Sequence, residues 1–497
     1  MTRHRPSCSR RALAPWHSGM TLAGDQAQSL DAAFVEKARK LRPFYFIVVV
    51  WGERYTDLLL NFCVASLLSP NNIPALLNSG NKFLIATTDE DWARMQERPI
   101  FKKLKHYVEP VFFRIPPCPP GLSHCTHMGI GHKLATHRAY EDRAYGAILT
   151  PDILLSDGTV AAMQRHAVNG VEVVLTAALR FGEEPLFEHL KQLGIASIDS
   201  RFADEARPLV ATGRQLVWAG LRSFHSETLR YEWEKPCFHT FPSGIWWRVD
   251  DDGVIVHCLS WAPMLIDYNA MREHDSTVMD NWTIDGDYIY RNFGLTGKVH
   301  VVQDSDEMMH ISWAPLSDRE QSLEPASKHY LNPIWGEWMK GAVLHDAISN
   351  PIFDPLKRKI LPLPVYWHAG DIDQRKWQRT ESKAMTILIR YGGVRLKDLA
   401  ALYPAGAGIG ARLLFGSKGL GRHILFAWNW RGYVIRPISL ASWYLGRVVD
   451  FAVRYWAKRH HVFGLAKRAL YGDPDAKRRV KNAVRNVTLL LMGKSPN

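Results

Sequence analysis

Four groups of side chains in this sequence are of types that do chemistry. The first is Asp152 and Asp157 in "ILTPDILLSDG". The apolar run at 144–149 reads as a buried central strand, and Thr150-Pro151 ends it because proline cannot donate to a sheet ladder. Two carboxylates at the carboxyl end of such a strand can hold a divalent metal and, through it, a diphosphate. The same residues also suit a turn start and a helix cap, with Gly158 closing the turn. The second group is Asp285 and Asp287, which flank Gly286. The third is Asp304, Ser305, Asp306 and Glu307, just past the apolar run at 299–302. Acids in such places are either catalytic carboxylates or turn and cap residues, and the sequence leaves both readings open. The fourth is His368, alone after a short strand, where a hydrogen-bonded structural histidine is the usual occupant. His124, His127 and His132 lie near Cys125, but without a second ligand pair no zinc site is expected.

These groups must be positioned by more than one core, because 497 residues exceed what a single one organises. A hydrophobic fraction of 46% and a charged fraction of 22% are those of a folded globular protein. The six cysteines form no C-x-x-C pair, as in a reduced, cytoplasmic protein. The first twenty residues hold four arginines and no acid but no apolar core, so residues 1–40 read as a disordered leader and not a signal peptide. No apolar run reaches the length of a spanning helix. Of the net charge of +13, +11 falls between Arg431 and Asn497, where fourteen Lys or Arg stand against three Asp. Helices at 443–458 and 476–492 would each set basic residues opposite an apolar face. They suit an anionic membrane surface or ordinary docking on the protein. No nucleic-acid motif accompanies them, so nucleic acid is not the expected partner.

Along the chain, strand and helix alternate. "FYFIVVVW" (44–51), "KFLIAT" (82–87), "VEPVFFRI" (108–115), 144–149 and "VEVVLTA" (171–177) read as strands. Helices are expected over 52–69, after Thr88-Asp89, over 131–143 and over 158–167. Such alternation argues a doubly wound, mostly parallel sheet. "FPSGIWWRVDDDGVIVHCLSW" reads as a hairpin about an Asp-Asp-Gly turn, and 314–380 reads as irregular. There is no G-x-G-x-x-G after the first strand and no G-x-x-x-x-G-K-[ST] anywhere. This counts against a dehydrogenase and a P-loop ATPase.

The pieces "VVVWGERYTDLLLNFCVASLLSPNNIPAL", "KFLIATTDEDWARM", "GAILTPDILLSDGT", "WTIDGDYIYRNF" and "VVQDSDEM" together resemble a bacterial glycosyltransferase-like family of GT-A, nucleotide-diphospho-sugar transferase architecture. The resemblance implies an α/β fold: a GT-A-like doubly wound, mostly parallel sheet with a mixed second half and a basic helical C-terminal region. It spans roughly residues 44–310 and implies a nucleotide-sugar and catalytic domain over 41–315; the residue pattern beyond it reads as an extension over 316–380 and a basic helical region over 381–497. The implied activity moves a hexosyl group from a nucleotide sugar to a glycan or lipid-linked acceptor, on the cytoplasmic side of the plasma membrane; the rival is a non-catalytic binding protein of the same fold. Trp51, Gly52, Glu53, Arg54, Thr87 and Asp89 would contact the nucleotide. A divalent metal, Mn2+ or Mg2+, would sit on Asp152, Asp157 and His368, the last in an H-x-G element. The family's Asp-x-Asp is incomplete at Thr150-Pro151-Asp152. Asp285, Asp287 or Asp304 would be the base, and Trp246 and Trp247 would stack on sugar or pack in the core.

Overall fold

The computed structural model describes residues 24–238, 242–280, 284, 286–325, 333–349 and 354–392. Thirteen strands occur among them: β1 (Phe44–Val49), β2 (Lys82–Thr87), β3 (Glu109–Arg114), β4 (Tyr145–Leu149), β5 (Ile153–Leu155), β6 (Val173–Ala177), β7 (Arg180–Gly182), β8 (Gly244–Asp250), β9 (Gly253–Cys258), β10 (Trp261–Asp267), β11 (Val299–Val301), β12 (His310–Ala314) and β13 (Val365–His368). Seven of them form the main sheet, in the order β11-β6-β10-β4-β1-β2-β3. β1, FYFIVV, lies beside the central β4 and is buried along its whole length. The fold is mixed α/β with a mostly parallel central sheet. A compact unit spans Met1–Leu402, and a second, Tyr403–Asn497, lies outside the described residues together with both expected basic helices.

One strand runs against the others. β10 pairs antiparallel with both β4 and β6, whereas β1 is parallel to β2 and β4, and β6 is parallel to β11. The mixed second half of the sheet therefore comes from one reversed strand. Its sequence, "WAPMLID", does not read as a central strand because Pro263 lacks an N–H. The register shifts between Pro263 and Leu265, and this bulge accommodates the proline.

The helix expected over 131–143 starts earlier and spans His124–Glu141. Gly131, read as a start, lies inside it. A Cβ there would come within 2.7 Å of the Ala86 side chain and 2.8 Å of Val49, so glycine lets the helix lie directly on β1 and β2. The described residues within 314–380 are not irregular either. They contain helices Pro333–Ser349 and Pro355–Ile360, and β13, which joins β8 and β9 in a three-stranded sheet. The hairpin of β8 and β9 forms as expected. Trp246 and Trp247 on β8 are fully buried, and the Trp246 Nε1–H donates to the Thr228 carbonyl at 2.9 Å. They pack in the core and cannot stack on a sugar.

Three buried histidines tie this core to pH. Burial pushes the imidazoles of His132, His257 and His310 down to about 4. The unfolded chain protonates them near 6.5, so between these values it binds more protons than the folded state. Their stabilisation is fully present above about pH 6.5 and is lost as pH falls toward about 4. Each histidine contributes at most about 3 kcal/mol. Urea unfolding at about pH 7.5 and about pH 5 should show a much lower midpoint at the acid value. Equal midpoints would contradict neutral burial.

Candidate functional site at the carboxyl rim

The parallel strands β1, β2, β4, β6 and β11 end at the same rim of the main sheet. From β1 the chain steps outward through β2 to β3, then returns to place β4 on the other flank of β1. That reversal is a topological switch point. In open α/β sheets it leaves a crevice beyond the carboxyl ends of the two strands concerned. Here the flanking segments are Trp51 to Tyr55 after β1 and Thr150 to Asp152 after β4.

The loop after β1 is fixed by its neighbours. Trp51 packs edge-on against the rings of His127 and His124, at 4.8 and 6.0 Å between centroids. Gly52 adopts φ 81°, ψ 150°, a region essentially restricted to glycine. Its N–H donates to the buried Asp91 carboxylate at 2.8 Å. Asp91 also accepts from the Thr88 hydroxyl and from Arg94, so one acid joins the loops after β1 and β2. Glu53 is exposed, 3.8 Å from Arg94. Arg54 binds Glu183 at 2.5 Å. Thr87 is buried at the end of β2, and its hydroxyl has no hydrogen-bond partner among the described residues. Asp89 lies at the exposed start of helix Asp89–Glu97 and pairs with Arg114 at 2.8 Å. Its charge sits on the helix N-terminus, where it also has a structural role.

Asp152 and Asp157 do not meet. β5 lies between them, roughly 10 Å of extended chain. Asp152 is half-buried where the chain passes from β4 to β5. Burial raises its proton affinity, and the Arg180 charge opposes the rise. Asp157 accepts from the Ser69 hydroxyl at 2.8 Å, from the Asn71 N–H at 2.9 Å and from the Asn71 amide at 2.7 Å. It clamps two loops together. Among the described residues, neither acid lies in a ligand group with His368. The expected Asp152–Asp157–His368 metal set is thus not brought together among the described residues. Nor does Asp157 cap the helix Thr159–Val168, whose N-cap is Gly158 without a side-chain bond; its carboxylate joins Ser69 and Asn71 instead.

What the structure does bring together are the third and fourth groups of the sequence. The His368 Nε2 lies 3.0 Å from Asp304 Oδ1 and 3.9 Å from Asp306 Oδ2. The His368 N–H donates to the Ser305 hydroxyl at 3.2 Å, and the Ser305 N–H to the Tyr366 carbonyl at 3.0 Å. Arg214, on helix Gly213–Leu221, binds Asp306 at 3.0 Å and Asp371 at 2.7 Å. The Asp304 hydrogen bond holds the His368 imidazole above its ordinary value, against burial. Asp304, Asp306 and His368 each offer a ligand atom within 4.8 Å of the others. Asp287 instead pairs with Arg291 at 2.8 Å, one turn along helix Gly286–Phe293, and Asp285 lies outside the described residues.

A third cluster lies beside this one. Glu307 Oε1 is 2.6 Å from His166 Nε2 and 2.8 Å from His300 Nε2. Burial raises the carboxyl, but these two hydrogen bonds outweigh it and hold the group at about 2. Of the rim residues missed in the sequence, Arg180 carries no motif, and Arg214 reads only as part of a charged helix. His124, His127 and His132 form no metal group among the described residues.

No protein-family model and no curated protein matches this chain. Among solved structures, one match is a Bacillus anthracis protein provisionally called a glucose-1-phosphate thymidylyltransferase, in complex with sucrose. The alignment covers 29% of this chain and 57% of that protein, at 8% identity and a TM-score of 0.19. The chain thus spans little more than half of that protein's length, and a likeness this slight carries no argument.

The clamp reading has a direct test. Asp157→Ala removes a charged acceptor from three donors and should lower the unfolding free energy by about 2–3 kcal/mol. Asp152→Asn should change it by less than about 1 kcal/mol, since burial already disfavours the charge there. Similar urea midpoints for the two variants would reject the distinction.

Proposed function

We propose that the chain binds a nucleotide-activated sugar along the carboxyl rim and transfers the hexosyl group to a glycan or lipid-linked acceptor. The observation that carries this is the switch point between β1 and β4, with Arg54, Tyr55, Asp152 and Arg180 grouped about it. Arg54 and Arg180 supply positive charge for a diphosphate, and a ligand takes them by displacing their contacts with Glu183 and Glu227. Asp304 ends the rim three strands away from β4, about 14 Å at ~4.8 Å per strand. For one step to use both, the donor sugar must lie at the Asp304 end with its diphosphate reaching back toward Arg54 and Arg180.

In this reading the acceptor hydroxyl gives its proton to the Asp304 carboxylate as its oxygen attacks the anomeric carbon. The bond to the diphosphate breaks, and Arg54 and Arg180 take up the negative charge that leaves with it. Asp287 is less suited to the base role because Arg291 occupies it. Of the expected cofactors, Mn2+ fits Asp304, Asp306 and His368 by donor type; bound there it would take Asp304 as a ligand, so that metal site and the base role of Asp304 are alternatives. We assign the domain at 41–315 to this activity. The rival, a binding protein without turnover, draws on the lone Asp152 at the position where the family has paired acids. Among the described residues no helix is long and apolar enough to cross a membrane. We place the basic tail on an anionic membrane surface.

Thermal unfolding with UDP- and GDP-sugars, with and without Mn2+, tests the site. A donor at about a hundred times its dissociation constant should stabilise the protein by about 2.7 kcal/mol. Arg180→Ala should abolish the shift, whereas Asp304→Asn should keep it but stop slow donor hydrolysis. No shift with any donor removes the proposal, and a shift without hydrolysis in the unaltered protein leaves the binding reading. For the tail, deletion after Arg431 should abolish flotation with anionic liposomes; unchanged flotation rejects the membrane assignment.

A further inference from the structure

We propose that His166, His300 and Glu307 form a site for a divalent transition metal of the zinc class, which fastens the loop bearing Asp304 and Asp306. The three residues come from different elements. His166 lies on helix Thr159–Val168, His300 at the centre of the edge strand β11, and Glu307 beyond the turn that follows it. The two imidazole rings stack at 4.1 Å between centroids, tilted by 30°, and both Nε2 atoms converge on one carboxylate oxygen. Each residue offers a ligand atom within 4.8 Å of the other two. The side chains are 16%, 33% and 27% exposed, screened from bulk water yet reachable by an ion.

The donor types select the ion. Two imidazole nitrogens and one carboxylate oxygen suit Zn2+ and its neighbours, whereas Mg2+ and Ca2+ take oxygen ligands. Three protein ligands leave a position for water. With metal–ligand bonds of ~2.1 Å, tetrahedral ligands stand about 3.4 Å apart. The nitrogen–oxygen distances of 2.6 and 2.8 Å would thus open by less than about 1 Å, within the reach of part-exposed side chains.

The site's place in the chain gives it a consequence. His300 and Glu307 bracket the segment that holds Asp304, Ser305 and Asp306. An ion joining them to His166 closes that loop at its base and ties it to a helix. It thereby limits the freedom of Asp304 and Asp306 without touching them. This holds whether or not the rim binds a sugar nucleotide.

Full-length protein stripped with chelator, then given Zn2+ and desalted, should retain one more equivalent by atomic emission than His300→Gln or His166→Gln does. Glutamine keeps a hydrogen-bond donor for Glu307, and circular dichroism identifies a variant that has not folded. Zn2+ should also raise the melting temperature of the unaltered protein, and each Gln variant should lose most of that rise. Asp304→Asn and Asp306→Asn should retain both the equivalent and the shift. Folded Gln variants that bind as much zinc as the unaltered protein overturn the proposal. So does loss confined to the Asp304 and Asp306 variants, because it moves the ion to His368, and so does an absence of zinc uptake. If neither Gln variant folds, Glu307→Gln replaces them with the same expected loss, and zinc retained in full there also overturns it.

Discussion

The rest of the structure depends on β1 being covered on every side. It is flanked by β2 and β4 in parallel register and buried along its length. A strand that apolar cannot face water, so helices must lie on the sheet. Gly131 lets one of them settle directly onto Val49 and Ala86. With β1 fixed between two parallel neighbours, its carboxyl end and that of β4 must open side by side. The candidate rim is a by-product of this burial requirement, which is why the loops after β1, β2, β4 and β11 share one margin of the sheet.

Along that margin, the partners of each acid decide what it can do. Asp157 and Asp91 resemble the other acids in sequence, yet each accepts several hydrogen bonds and serves as a joint between loops. Asp304 and Asp306 follow a strand too, but meet a histidine and an arginine brought in from distant segments. A carboxylate that accepts from the backbone of a neighbouring loop is held for structure, even where an arginine also binds it, as Arg94 binds Asp91. One that faces cationic or titratable side chains is held in a form that ligands can displace. Asp152 belongs to neither class, since burial pulls it toward the neutral form while Arg180 opposes this.

Much of the architecture was legible because it rests on local pattern. The runs at 82–87 and 144–149 match β2 and β4 to within a residue, since β-branched and aromatic residues bounded by turn formers have few other solutions. β10 was hidden because Pro263 breaks the rule for central strands, and only the bulge beside it shows how the rule is met. Gly131 read as a boundary for a similar reason: sequence reveals that a side chain is missing, not that a neighbouring helix or strand fills its space. At the candidate site, the residue types of Asp304 and His368 were legible and their meeting was not. They lie in separate segments, and their proximity follows from the parallel bridge between Asp304 and Tyr366 on β13. Arg180 and Arg214 offered no signal at all, because an isolated arginine on a short element has the same local pattern whether it faces solvent or an acid.

The two margins of the seven-stranded sheet have a bearing on how this protein behaves in a crowd. At one end β3 begins with Glu109-Pro110 and finishes on Arg114; at the other, β11 offers only three residues. A proline withholds a donor, terminal charges resist burial, and so short a strand gives a second chain little to zip against. Both borders are thus poor templates for strand addition. The apolar inner strands of this sheet are bordered by edges that give strand addition little purchase.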